Sequence, residues 1–149
     1  MARETLLDRV KAPAENVHRV PTELPPAQAA SAYQGLLGKT ASSLDMVLLG
    51  MGKDGHTASL FPGDPLIKEG TRLVAAVRAP AGLPAPDRVT LTLPALNAAR
   101  RAIFLVGGED KRRVLECLEG DVDAPLPPQL AGMPALMVRA RESTIWLVS

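Results

Sequence analysis

Residues 44–63 read LDMVLLGMGKDGHTASLFPG. The apolar run Met46–Leu49, bounded by Asp45 and Gly50, predicts a strand buried on both faces, the pattern of a parallel sheet packed between helices. In such sheets ligands gather outside the carboxyl ends of the strands, which is where the glycine-rich stretch Gly50–His56 stands.

The rest of the chain is read around that strand. ARETLLDRV predicts a short amphipathic helix with Leu6, Leu7 and Val10 on one face. PPAQAASAYQGLLGK is a helix opened by prolines, and TASLF opens a short helix after the glycine loop. RLVAAV, RVTLTL and AIFLVGG are strands, and PALNAAR is a short helix with Pro94 at its start. EDKRRVLECLEG is a helix with acids first and Gly120 as its C-cap, and ALMV and TIWLVS are the last strands. Apolar strands alternating with short helices predict an α/β fold with a largely parallel sheet in a single domain over residues 1–149.

Composition removes several function classes. The 17 basic and 16 acidic residues nearly cancel, so no one-signed patch invites nucleic acid, and aromatics at 3% offer no base-stacking platform. No apolar run approaches the ~20 residues that a membrane-spanning helix needs. The opening MARETLLDRV lacks the apolar core of a signal peptide. The single cysteine, Cys117, cannot form an internal disulfide, which fits a buried thiol in a reduced, cytoplasmic setting.

Candidate chemistry concentrates in Gly50–His56. Gly50, Gly52 and Gly55 allow positive φ and close backbone approach, so that N–H groups can face an anion or an oxyanion. His56 is the proton-transfer residue, because an imidazole titrates near neutrality, and Asp54 is placed to orient it. The loop lacks the Gly-Lys-Ser/Thr of a Walker motif. With two histidines, His18 and His56, and no cysteine pair, no metal-ligating set is expected. Two cations bear on an anionic substrate. Arg88 opens RVTLTL after a proline-rich loop. Lys111 sits in the first turn of a helix, where its charge opposes the helix dipole unless an anion offsets it. Glu109 and Arg113 have the spacing of an ion pair, and Met46 and Met51 are read as packing residues.

LLGMGKDGHTASLFPG, RVTLTLPALNAARRAIFLVGGEDKRRVL and the closing TIWLVS together resemble the 6-phosphogluconolactonase family, in order and over almost the whole chain. Glucosamine-6-phosphate deaminases and isomerases share a DGH loop but continue differently from the TASLFPG seen here. The resemblance implies a phosphosugar-isomerase-like fold with a Rossmann-like parallel sheet flanked by helices. It also implies hydrolysis of the lactone of 6-phosphogluconate in the oxidative pentose phosphate pathway, with no cofactor and no metal. His56 matches the family's catalytic histidine and Asp54 its loop aspartate, with Gly50, Gly52, Lys53 and Gly55 lining the substrate. Arg88 and Lys111 match cationic positions near the substrate phosphate. Other readings are a non-catalytic phosphosugar-binding fragment and an isomerase or deaminase.

Family members also carry an N-terminal section with a Gly-rich Ser/Thr phosphate loop and an Asp-Glu-Arg motif. This chain shows neither, and MARETLLDRV resembles a segment that follows both. The expectation is therefore the C-terminal portion of a lactonase domain, inactive or nearly so by itself. The oligomeric state is left open.

Overall fold

The computed structural model describes residues 3–41, 43–116, 130 and 132–149. In chain order the elements are α1 (Asp8–Val10, continuing a π-helical turn over Arg3–Leu7), α2 (Pro26–Thr40), β1 (Met46–Leu49), β2 (Val74–Arg78), β3 (Asp87–Leu91), α3 (Leu93–Ala98), β4 (Arg101–Val106), α4 (Arg112–Glu116) and β5 (Ser143–Val148). Short 3₁₀ turns lie at Ala14–Asn16, Pro65–Lys68, Glu109–Lys111 and Pro134–Met137.

The main sheet is parallel, in the order β1-β4-β5. Its register sets Leu49 opposite Phe104 and Phe104 opposite Trp146. The strands read from RLVAAV and RVTLTL do not join it: β2 and β3 form an antiparallel pair of their own, with Val74 opposite Leu91. The link over 79–86 is too short for the crossover that parallel strands require, so these two strands can pair only as a hairpin.

One side of the main sheet is dry. Val47, Leu49, Ala102, Phe104 and Val106 pack against Leu60, against Leu96 of α3, Val114 of α4, and Leu136 and Val138 of the last turn. Phe104 is fully buried and stacks on Trp146, ring centroids 4.0 Å apart and 5° from parallel. The other side departs from expectation. β1 alternates, with Val47 and Leu49 buried but Met46 and Leu48 exposed at 48% and 63%. Leu105, Ile145 and Leu147 continue that exposed apolar face. A run without polar alternation therefore stands in a sheet that, among the described residues, is covered on one face only.

Helix α2 begins at Pro26, whose missing N–H costs nothing in a first turn. It buries Ala29 and Ala30, and Gln34 Oε1 ties it to the start of β2 by accepting from Leu73 N (3.1 Å) and Val74 N (3.3 Å). α3 starts with Pro94 in its first turn, as expected. At the opposite end of the main sheet Arg100 donates to Glu142 Oε1 (2.9 Å) and Asp45 Oδ1 (3.1 Å), joining the amino ends of all three strands. These exposed pairs add little energy individually, but they reinforce one register.

Two further expectations are corrected. TASLF is not a helix. It is a tight turn with a Thr57–Leu60 bridge, and Ala58 adopts φ 50°, a left-handed conformation that a right-handed helix cannot continue. ALMV is not a strand: Pro134 opens a 3₁₀ turn there, closed by Leu136 N donating to Met133 O at 3.0 Å. The N-terminal helix forms where the sequence predicts it and buries none of its residues, with Leu6 and Val10 exposed at 53% and 59%. Cys117 and Gly120 lie outside the described residues.

Ahead of β2, Glu69 folds the chain back. Its carboxylate accepts from Thr71 N (2.9 Å), Thr71 Oγ1 (3.0 Å), Arg72 N (3.1 Å) and Arg72 Nε (2.6 Å). The Thr71 backbone N–H, the Arg72 guanidinium and the Arg72 backbone N–H hold the carboxyl down from 4.5 to about 2. A depressed folded-state value stabilises the fold above the unfolded value and loses that effect as acid protonates the group. The gap in urea midpoint between wild type and Glu69→Gln is therefore expected to be constant above pH 4.5 and to close as pH falls to about 2. A gap independent of pH across that window would show that the charge contributes nothing.

Candidate active site

The loop after β1 closes on itself. Gly52 N donates to His56 O at 2.9 Å, Gly55 N donates to Gly52 O at 2.9 Å, and buried Thr57 gives its hydroxyl to Gly50 O at 2.8 Å. The glycines have separate reasons. Gly55 needs its positive φ of 79°, and a Cβ there would meet the Met133 side chain at 2.6 Å. Gly52 lacks positive φ but lies against the His56 ring, so a Cβ would collide with the imidazole and come within 2.7 Å of Asp54 Oδ1. Gly50 has neither constraint: its φ is not positive and nothing lies within 4 Å of an added Cβ. Its contribution is the carbonyl that holds Thr57. The loop is further tied to the last turn, where Ala135 N donates to Gly55 O at 3.0 Å.

This folding brings His56 and Asp54 together. His56 Nδ1 lies 2.6 Å from Asp54 Oδ1, and the same oxygen accepts His56 N at 3.2 Å. Partial burial pushes the Asp54 carboxyl up, but the imidazole hydrogen bond, the His56 backbone N–H and the charge of His56 outweigh it and hold the group below its usual value. An ionised carboxylate can only accept, so Nδ1 is the donor, and in the neutral tautomer that this selects the lone pair is on Nε2. The pair thus presents one ring nitrogen, on a partly exposed side chain of a loop closed by its own hydrogen bonds.

The other side of this nitrogen's surroundings comes from the turn and the hairpin. Phe61 is 2% exposed, with its ring centroid 5.0 Å from that of His56 and tilted by 41°. Arg88, on β3, sets its guanidinium carbon 5.8 Å from the Phe61 centroid. Its Nε donates to Ala85 O (2.9 Å) and Nη2 to Pro84 O (2.7 Å), while Nη1 has no acceptor among the described residues. Arg88 is thereby gathered with His56 and Asp54.

Lys111 is not. It ends the 3₁₀ turn Glu109–Lys111 ahead of α4, and Nζ donates to Gly107 O at 2.7 Å. The expected conflict with a helix dipole is relieved by that carbonyl. Lys111 shares with the loop only the carboxyl edge of the sheet, beyond the parallel ends of β1 and β4. Lys53 is exposed at the loop's tip. Glu109 pairs with Arg112 at 2.7 Å; the side chain of Arg113, its expected partner, lies outside the described residues. Met51 packs as expected, whereas Met46 is on the open face. Among the described residues no group of three or more His, Cys, Asp or Glu side chains could hold a metal ion. Sequence reasoning missed three contributors: Phe61, Thr57 and Met133. A phenylalanine five residues after the histidine was the available signal for the first; nothing local marks Met133.

A family model described as glucosamine-6-phosphate isomerases/6-phosphogluconolactonase matches residues 1–146. The chain belongs to this family. Within the glucosamine-6-phosphate isomerase/6-phosphogluconolactonase family it is 43% identical over 134 residues to 6-phosphogluconolactonase of Homo sapiens, covering 86% of this chain and 52% of that protein. It is 38% identical over 146 residues to that of Thermotoga maritima, covering 97% of this chain and 60% of the relative. The crystal structure of the Thermotoga maritima protein superposes with a TM-score of 0.80 over 98% of this chain and 62% of that one. The structure of 6-phosphogluconolactonase from Trypanosoma brucei gives 0.78 at 29% identity, over 99% of this chain and 63% of that one. The chain thus spans between 52% and 60% of the length of these two curated relatives.

Because the Gly52 Cα supports the imidazole, Gly52→Ala is expected to break the His56–Asp54 bond. Stability should fall by about 1–3 kcal/mol, the usual range for an overpacked site. Denaturant unfolding measures the loss, and the imidazole proton resonance reports the bond. An unchanged resonance would show that the ring does not rest on Gly52.

Proposed function

We propose that this chain carries the water-activating side of a 6-phosphogluconolactonase site. The reaction is hydrolysis of 6-phospho-D-glucono-1,5-lactone to 6-phospho-D-gluconate, a step of the oxidative pentose phosphate pathway, in the cytoplasm. The observation that carries this reading is the 2.6 Å contact between His56 Nδ1 and Asp54 Oδ1 on a closed glycine loop, in a chain of this family.

The chemistry follows from the free Nε2. A water oxygen attacks the lactone carbonyl carbon while Nε2 takes its proton. The resulting imidazolium is stabilised by the Asp54 carboxylate. When the tetrahedral intermediate collapses, the bond from the carbonyl carbon to the ring oxygen breaks, and the imidazolium returns the proton to that oxygen. A δ-lactone is reactive enough that neither a covalent nucleophile nor a cofactor is needed. Thr57 is no nucleophile, since its hydroxyl is committed to Gly50 O.

The glycine loop serves the oxyanion less directly than its sequence suggests. The N–H groups of Gly52, Gly55 and His56 already have acceptors within the loop. Gly50, Gly52 and Gly55 therefore act by shaping the loop, and Lys53 at its tip supplies positive charge toward the substrate. Arg88 anchors the phosphate through its unpaired Nη1 edge, and Lys111 contributes charge from the same edge of the sheet.

The test is acid release from freshly generated lactone, against the spontaneous rate. His56→Ala is expected to lower kcat by about 10²–10⁴-fold, the range for a lost general base. A kcat near wild type would remove His56 from the reaction. Retained 6-phosphogluconate affinity without acceleration would make the chain a binding module, and interconversion of ketose and aldose phosphates would make it an isomerase.

Arg88→Ala is expected to raise KM for the phosphorylated lactone and to leave unphosphorylated gluconolactone almost unaffected. A charge-assisted hydrogen bond to an anion is worth about 1.5–3 kcal/mol, or about 10- to 150-fold in affinity. Equal losses on both substrates would assign the guanidinium to the reacting centre or to the fold.

A further inference from the structure

Phe61 is buried but stands outside the apolar cluster around Phe104 that makes the core. Its recorded ring contacts are with the imidazole of His56 and the guanidinium of Arg88. The first lies on the loop after β1 and the second on the hairpin, and these two parts of the chain share no strand pairing. We propose that Phe61 is a positioning residue: its ring holds the His56 imidazole and the Arg88 guanidinium at a fixed spacing. In the lactonase reading above, on which this role rests, that spacing is the distance between the base and the phosphate anchor.

The ring is suited to the task because it is itself immobile. Leu60 before it is fully buried, Pro62 follows it, and Phe61 O accepts Asp64 N at 3.1 Å. Arg88 has a long side chain whose disorder must be overcome for it to hold an anion. Two carbonyls of the 84–85 turn take one edge of its guanidinium and the aromatic ring lies beside it, which leaves Nη1 for a ligand. A ring's negative face attracts a guanidinium, an attraction that an aliphatic side chain of similar size lacks. On the imidazole, Asp54 fixes one nitrogen and Gly52 backs the ring. The Phe61 ring, 5.0 Å away, adds the restraint that ties the imidazole to the Arg88 side of the site. A base misplaced by about 1 Å loses about 100-fold in rate, so the restraint matters to the reaction.

The first measurement needs no substitution: nuclear Overhauser contacts from the Phe61 ring protons to the His56 ring and to the Arg88 side chain, in the full chain. Both are expected, and the absence of either overturns the proposal. Phe61→Leu is then expected to remain folded while both side chains gain mobility in relaxation measurements. It should lower kcat on unphosphorylated gluconolactone by about 10- to 100-fold, through His56. It should also raise KM for the phosphorylated lactone, through Arg88. Adding Arg88→Ala to Phe61→Leu should raise KM much less than it does in the wild type, because the guanidinium is already released. Phe61→Tyr, which keeps the ring, should restore both parameters. A folded Phe61→Leu protein with unchanged side-chain order, or strictly additive effects of Phe61→Leu and Arg88→Ala, would overturn the proposal. If Phe61→Leu does not fold, the wild-type contacts and Phe61→Tyr decide. If the ring contacts and the mobility gain are found but the wild-type chain does not accelerate lactone hydrolysis, the positioning role stands and the lactonase reading falls.

Discussion

The parallel pairing of β1 with β4 decides where everything else can go. With Met46 opposite Arg101 and Leu49 opposite Phe104, both strands deliver their carboxyl ends to one edge of the sheet. The glycine loop leaves β1 at that edge, and Gly107 with its Lys111 partner leaves β4 there. A parallel pair cannot be joined by a tight turn, so the chain between them must travel back across the sheet. That return path is where the protein carries its second unit, the β2–β3 hairpin, and α3. The hairpin brings Arg88 toward the loop, while α3 covers the dry face. The same pairing is held at its amino end by Arg100, which reaches Asp45 and Glu142. A slip of one residue would exchange the buried and exposed faces of the strand, so register and core composition enforce each other.

Given that frame, the loop achieves rigidity by consuming its own polar groups. Gly52 N, Gly55 N, His56 N and the Thr57 hydroxyl all donate inward, and Gly50 O, Gly52 O and His56 O accept. Those donors hold the loop's own shape, and the groups it presents together are the His56 ring and the Asp54 carboxylate. The Asp54 oxygen that accepts both the backbone and the ring of His56 is the point where loop closure becomes chemistry. The bond that shapes the turn also selects the tautomer.

Much of this was legible in the sequence, but unevenly. Met46–Leu49 announced a strand, and Gly50–His56 announced a site at its end, because apolar runs and clustered glycines act locally. The approach of Asp54 to His56 was readable as a possibility from spacing alone. What failed was non-local. The openness of one sheet face could not be read from MVLL, since burial depends on what other segments bring. TASLF had helical composition, yet the commitment of Thr57 to Gly50 O turned it into a tight turn. ALMV looked like a strand, but Pro134 and the bond from Ala135 N to Gly55 O made it a brace for the loop. RLVAAV and RVTLTL were recognised as strands, while their separation from the main sheet followed from a link too short to cross it. The partnership of Phe61 with Arg88 joins positions 27 residues apart (88 − 61 = 27) and has no signature in either segment.

The alternation of the strands separates two problems that meet in the same sheet. Leu49, Phe104 and Trp146 share a row and one parity, and that parity faces the core on which the loop and the last turn rest. Met46, Leu48, Leu105, Ile145 and Leu147 have the opposite parity and form the exposed apolar face. No side chain of the second set can touch the site, because each points away from it through the sheet. Substitutions on the open face therefore reach His56 only by moving the backbone, which the parallel ladder and the Arg100 network resist. The geometry of the His56–Asp54 loop and the apolar character of the open face are thus largely separate properties of one set of strands. The apolar character of the open face follows from its own exposed residues and is not a consequence of building the site.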